Sequence, residues 1–266
     1  MNPELIQTKF FTVHTLWIFI AIAIVAATFS IIKLGTKQGL KISFISNNAI
    51  WLIIASILGA RIFALIINYR IYFYEFSLDT LTGTFQIWDK GLNLTGGIVG
   101  FFICLYYLCK KHEQDFFKWL DTLVPSFLIG IAFGHIGTFF EGSNYGNETS
   151  LPWGVNFESP SIKYTVPIHP TQIYAFLYTV LILIGLYLLN KFDKFKEIEK
   201  PGLTALLGAS LYSFFKFLEN FVRGDDTILI LGIRINQIFA LLATIFFGFI
   251  IYNRYNKRKS KSKKQS

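Results

Sequence analysis

Charge is what this sequence has least of. Only 15% of its 266 residues are charged, against about 25% in a soluble domain. That deficit excludes an ordinary soluble globular chain and matches what lipid-facing helices produce. Cysteine is scarce as well. Cys104 and Cys109 lie five apart at the end of one apolar run, which is neither a metal spacing nor a disulfide framework. His14, His135 and His169 lack i, i+4 or H-E-x-x-H spacing, so no metal site is expected. The first apolar run is long and no A-x-A-like site follows it, so no cleavable signal peptide is expected either.

What the chain has is apolar length. Apolar residues make up 53% of it and aromatics 18%, and its mean hydropathy is +0.49. Seven runs approach the ~20 residues that cross a bilayer. They cover roughly 11–32, 49–69, 94–109, 119–140, 170–190, 203–222 and 235–252. The third is short, and Gly130, Gly134 and Gly137 interrupt the fourth. The expected architecture is all-α: a seven-span transmembrane domain over 1–252 and a basic cytoplasmic tail over 253–266.

The net charge of +9 reports topology rather than nucleic-acid binding, because the cations sit between the spans and in the tail. The tail and the loops after the first, third and fifth spans hold 17 of the 25 Lys and Arg. The other side holds six: Lys9, Arg70, Lys90, Lys163, Arg223 and Arg234. Lys/Arg excess marks the cytoplasmic face, so the N-terminus is expected outside and the C-terminus inside. Two outer segments are long. Residues 70–93 are aromatic and contain Trp88, which suits a segment lying flat at the headgroups. Residues 141–169 are rich in Gly and Pro and read as a small ordered extracytoplasmic cap.

Ionisable residues inside spans are costly and mark function. The orientation puts His14, Arg61, Thr95, Gly96, Gly97, His135, His169, Glu219, Arg223 and Gln237 toward one leaflet, the outer one. Each has an ordinary reading alone: Arg223 can snorkel, and Glu219 with Arg223 is an i, i+4 pair. Convergence from seven stretches is the signal. A transporter would show repeats and midplane ionisable groups, and no convincing repeat is present.

At this point the chain resembles bacterial prolipoprotein diacylglyceryl transferases. The resemblance runs from about Val13 to Gln237. It is carried by the residues around Arg61, the stretch Trp88 to Gly100, Asp121 with Pro125, Gly134 to Gly146, Leu151 to Val155, His169 to Tyr174, and Glu219 to Arg223 with Gln237 after. No single segment is specific, but their order and spacing are. The resemblance implies an inner-membrane enzyme. It would move the diacylglyceryl group of phosphatidylglycerol to the lipobox cysteine of a preprolipoprotein, forming a thioether and releasing glycerol phosphate. It implies no cofactor, membrane lipids and preprolipoproteins as partners, no nucleic acid, and a monomer.

The chain departs from that family at several positions. Thr95 stands where the family usually has His. His135 and Thr138 stand in place of Arg and Asn. A Tyr is missing after His14, and Ala175 replaces a frequent Glu. In the active reading, His135 supplies the missing imidazole as base or headgroup donor. Arg61 and Arg223 bind phosphate, for which Arg is well shaped. Gly96 and Gly97 allow close lipid approach, and Glu219 orients Arg223 or Lys216. His14, Thr95, Thr138, Gly146, His169, Gln172, Tyr174 and Gln237 complete the substrate site. The alternatives are a divergent homologue, weak or inactive in transfer, that binds lipid or a lipoprotein partner, and a membrane transporter.

Overall fold

A computed structural model describes residues 4–7, 12–67, 69, 92–157, 162–192 and 201–262. Among these the chain is predominantly helical. A short antiparallel hairpin, β1 (Glu4–Gln7) and β2 (Thr12–His14), leads into α1 (Thr15–Lys37), α2 (Ile42–Ile67), α3 (Leu94–Lys111), α4 (Phe116–Glu141), α5 (Thr171–Leu189) and α6 (Leu203–Glu219). A second hairpin, β3 (Leu229–Ile230) and β4 (Ile233–Arg234), precedes α7 (Ile235–Ser262). The aromatic segment around Trp88 and most of 70–93 lie outside the described residues. By contact the chain divides into two compact units, residues 35–117 and residues 1–34 with 118–266.

Six helices are long and apolar enough to cross a membrane: α1 to α5 and the Ile235–Arg254 part of α7. Their outward side chains are large and apolar, such as Val25 at 69% and Phe29 at 66% exposure. That pattern makes the chain a multi-pass membrane protein, because water would not tolerate so broad an apolar surface. The exception is α6, which at 17 residues is one residue shorter than α3 and carries Lys216 and Glu219 in its last turn.

Helix limits differ from the apolar runs for local reasons. Residues 12–14 pair with β1, so the first helix starts at Thr15. The second starts seven residues early, at Ile42. Its first turns are polar, and Ser46 and Asn48 bond back to the carbonyls of Ser43 and Phe44 rather than breaking the helix. α4 is continuous through Pro125 and the three glycines that seemed to interrupt it. Gly130 faces Ala23 and Ala27 of α1, and Ser126 Oγ donates to Ser30 Oγ at 2.9 Å.

In the unit 35–117, α2 and α3 cross with backbones almost touching. A Cβ on Gly96 would lie 2.3 Å from Gly59 O, so glycine is required at this crossing. Asn93 Oδ1 caps α3 by accepting from Gly96 N at 3.2 Å.

In the other unit α4, α5 and α6 share a core of Leu128, Ala175, Tyr178, Ile182 and Leu186. Asp121 of α4 caps α6, accepting from the backbone N–H of Gly202 at 2.5 Å and of Ala205 at 2.8 Å. The segment joining α4 to α5 carries its own small core of Tyr145, Phe157, Ile162 and Ile168. Isolated bridges tie Ile168 to Glu148 and to Val155.

Candidate active site

The polar residues of the larger unit gather where α4 and α6 end and α5 begins. The backbone there is woven together. Gly146 bridges Arg223 and donates to His169 O at 3.1 Å, while Asn147 N donates to Val222 O and Gly224 N to Tyr145 O. A Cβ on Gly146 would come 2.5 Å from the carbonyl oxygen of His169. Only glycine lets these strands of chain approach so closely.

Arg223 is held inside this weave. Its Nε donates to Asp225 Oδ1 at 2.7 Å, and its second arm donates to Asn144 Oδ1 at 2.7 Å and to Asp225 Oδ2. Its remaining arm stands 3.5 Å from Glu219 Oε1. Burial works against this charge, but the hydrogen bond and charge of Asp225 overcome it, so the guanidinium stays charged well into the alkaline range. Asn144 adopts a left-handed backbone, φ 61°, which asparagine tolerates. That turn lets its side chain meet Arg223 while its carbonyl accepts from Thr171 Oγ1 at 2.5 Å. Arg234, from β4, binds the same Asp225 at 2.7 Å.

Glu219 closes α6 and is 6% exposed. Its carboxylate accepts from Lys216 Nζ at 2.8 and 3.0 Å and from Tyr178 Oη at 2.8 Å. A carboxylate at a helix C-terminus opposes the helix dipole, so these donors are what keep it there.

Beside this cluster lies a cleft of about 450 Å³. Leu151, Trp153, Phe215, Leu218 and Val222 form its apolar wall, and His169, Tyr174, Tyr178 and Glu219 supply its polar groups. Trp153 Nε1 donates to Tyr174 Oη at 2.8 Å, and Tyr174 Oη lies 3.1 Å from His169 Nδ1.

Of the residues singled out from sequence, His169, Tyr174 and Glu219 line the cleft, and Arg223 adjoins it through Glu219. Gly146 and Gln172 support it: Gln172 Nε2 donates to Ser143 O at 2.6 Å. His135 does not line the cleft. Its Nε2 lies 3.4 Å from Tyr212 Oη, whose ring meets Tyr178 at 5.7 Å. Thr138 bonds back to the His135 carbonyl at 3.0 Å. His14 stands in β2 with its ring against Trp17 at 5.2 Å, and Gln237 is buried in the first turn of α7. Arg61, Thr95, Gly96 and Gly97 belong to the other unit. There Arg61 is buried, and Asn93 N donates to Ala60 O at 3.0 Å, which brings the start of α3 beside it.

Sequence reasoning missed Tyr178, Tyr212 and Asp225, and it gave no role to Asn144 and Trp153, although both lie in segments that carry the resemblance. The tyrosines look like ordinary core aromatics in an apolar run. The pairing of Asn144 and Asp225 with Arg223 is set only when the two loops meet.

Comparison with known proteins completes the picture. The family model for prolipoprotein diacylglyceryl transferase matches residues 3–253. A phosphatidylglycerol–prolipoprotein diacylglyceryl transferase from Clostridium tetani (strain Massachusetts / E88) is 31% identical over 260 residues, covering 97% of this chain and 100% of the relative. The protein of the same name from Polynucleobacter necessarius subsp. necessarius (strain STIR1) is 33% identical over 215 residues, 79% of this chain and 76% of that one. The one from Campylobacter lari (strain RM2100 / D67 / ATCC BAA-1060) is 27% identical over 280 residues, 98% and 97% of the two chains. With a family match over nearly its whole length, and with six helices fit to cross a membrane, this chain belongs to the prolipoprotein diacylglyceryl transferase family.

Proposed function

We propose that this protein transfers the diacylglyceryl group of phosphatidylglycerol to the lipobox cysteine of preprolipoproteins, the first step of lipoprotein maturation in a bacterial inner membrane. Family membership supplies the reaction. The observation that carries it for this chain is the cleft bordered by Glu219 and backed by Lys216 and Arg223. The thiol loses its proton, a sulfur–carbon bond forms, and the carbon–oxygen bond to phosphate breaks. Glycerol phosphate leaves with that electron pair. The thiolate is the useful nucleophile, so a base or positive field must stand near it.

Arg223 and Arg61 are assigned to the phosphate and His135 to the base or headgroup donor. The arm of Arg223 held most weakly, 3.5 Å from Glu219, is the one a phosphate oxygen would take. Thr95, Gly96 and Gly97 would border lipid at the start of α3. The groups around His14, Thr138, Gln172 and Gln237 would complete the substrate site.

We further assign α6 as a seventh span, the 141–169 segment as an extracytoplasmic cap, the N-terminus outside and the C-terminus in the cytoplasm, and a monomeric working state. The division of 17 against six Lys and Arg supports this topology.

A second reading, a homologue weak in transfer, is favoured by one observation: His135, which replaces the usual Arg, already has Tyr212 beside its Nε2. Complementation of a strain depleted of its own transferase separates the two. Thioether-lipidated prolipoprotein supports transfer, and accumulation of the unmodified precursor at normal protein levels supports the second reading. Full activity in both His135→Ala and His135→Gln would remove His135 from the chemistry.

A further inference from the structure

The two substrates of such a transfer differ sharply in charge. A phospholipid headgroup carries an anionic phosphodiester, while the acceptor cysteine arrives as a neutral thiol on an apolar peptide segment. The cleft discriminates between them. Its wall offers Trp153, Phe215, Leu218 and Val222, and among its lining residues the carboxylate is that of Glu219 and there is no Lys or Arg. Lys216 and Arg223 bind Glu219, but neither lines the cleft. A phosphodiester entering here would find no cation to bind, because the charges of Lys216 and Arg223 stand behind Glu219 and are engaged with it. An apolar segment ending in a thiol would meet matching walls, and Glu219 could accept the S–H hydrogen bond.

Resting on the transferase reading above, we infer that this cleft receives the acceptor peptide, with its thiol beside Glu219, and that the phospholipid headgroup binds outside it. His169 and Tyr174 stand at the same cleft, 3.1 Å apart and tied to Trp153. They supply polar contacts for the backbone of an extended segment. Trp153 and Leu218 are 55% and 43% exposed, so both are open to a ligand and tolerant of substitution.

Two measurements on the full-length protein in phosphatidylglycerol-containing nanodiscs test this. In the first, a synthetic peptide has small apolar residues ahead of a serine that replaces the acceptor cysteine, and it bears a diazirine beside that serine. It should label residues 151–154 or 215–222. Excess unlabelled peptide should suppress the labelling, and glycerol phosphate should not. In Glu219→Gln, glycerol phosphate should begin to compete. In the second, Leu218→Trp narrows the cleft and should raise KM for the peptide roughly tenfold while leaving KM for phosphatidylglycerol within about twofold.

Labelling outside both segments would overturn the inference, as would a Leu218→Trp effect confined to the lipid KM. Glycerol phosphate displacing the peptide from the unmodified protein would overturn it as well. Size-exclusion profiles and melting curves identify any variant that has misfolded, and the labelling arm on the unmodified protein then decides. If the protein shows no transfer at all, the proposed function fails while peptide labelling still reports on the cleft.

Discussion

Two buried carboxylates stand at opposite ends of α6, and they do different things. Asp121, 7% exposed, meets the N-terminus of that helix and accepts from two backbone amides. Glu219, 6% exposed, closes its C-terminus and accepts from the side chains of Lys216 and Tyr178. At an N-terminus the orphan amides and the helix dipole both favour an anion. At a C-terminus the orphan carbonyls and the dipole both disfavour it, so Glu219 persists because Lys216, Arg223 and the Tyr178 phenol surround it. Burial alone therefore does not mark a functional carboxylate. A carboxylate held against the local backbone field, with one face on a cleft, does.

Substitutions can break this contrast, beginning with the largest effect. Arg223→Ala removes the hydrogen bonds to Asp225 and Asn144 and the contact with Glu219 together, although Asp225 keeps Arg234 and Glu219 keeps Lys216. It should cost about 3–4 kcal/mol of stability, since hydrogen bonds to charged groups contribute ~1.5–3 kcal/mol each. Transfer to a prolipoprotein should fall strongly, which thermal unfolding in detergent and a gel-shift lipidation assay would show. Near-normal turnover would take phosphate binding away from Arg223.

Asp121→Ala should cost roughly 2–3 kcal/mol, since two buried amides lose a charged acceptor. Its folded fraction should transfer at the normal rate per molecule. A normal melting temperature would mean that the cap contributes little.

Glu219→Gln keeps the shape and the acceptor oxygen, so stability should fall by only about 1–2 kcal/mol. The acceptor KM should nonetheless change, which is the signature that separates Glu219 from Asp121. If Asp121→Asn and Glu219→Gln moved stability and KM alike, the distinction drawn here would be lost.

The smallest effect is expected from Lys163→Ala. Lys163 lies 2.9 Å from Asp226, which is 91% exposed. The hydrogen bond to Asp226 raises the lysine above its ordinary range. Any contribution is thus already present at neutral pH and is lost only as pH rises past that raised value. The pair is solvated and screened, so the melting temperature at neutral pH should not move.

Much of this fold was legible because lipid leaves a simple record. Runs near ~20 apolar residues forecast helices, and every run corresponds to one. The edges were less legible. Hydropathy does not register Ser46 and Asn48 bonding back onto α2, nor a strand at Thr12–His14 that exists only through pairing with β1. The run at 203–222 likewise ends as a helix at Glu219, three residues short of the apolar limit. His169, Tyr174, Glu219 and Arg223 were legible as polar groups at helix ends. Tyr178 and Tyr212 were not, because a phenol in an apolar helix reveals its hydroxyl partner only when the neighbouring helix is in place.

Composition and order of motifs thus determined that this is a helical membrane protein of the diacylglyceryl transferase family. Those properties depend on transfer free energy and on residue types taken in sequence. The tertiary structure alone decided which carboxylate caps a helix and which faces a cleft. It also decided that the guanidinium of Arg223 is tied to Asp225 and Asn144, and that His135 meets a tyrosine rather than the cleft. Those outcomes depend on ångström-scale approach between segments as far apart as 144 and 223, and hydrogen bonds reward only that proximity.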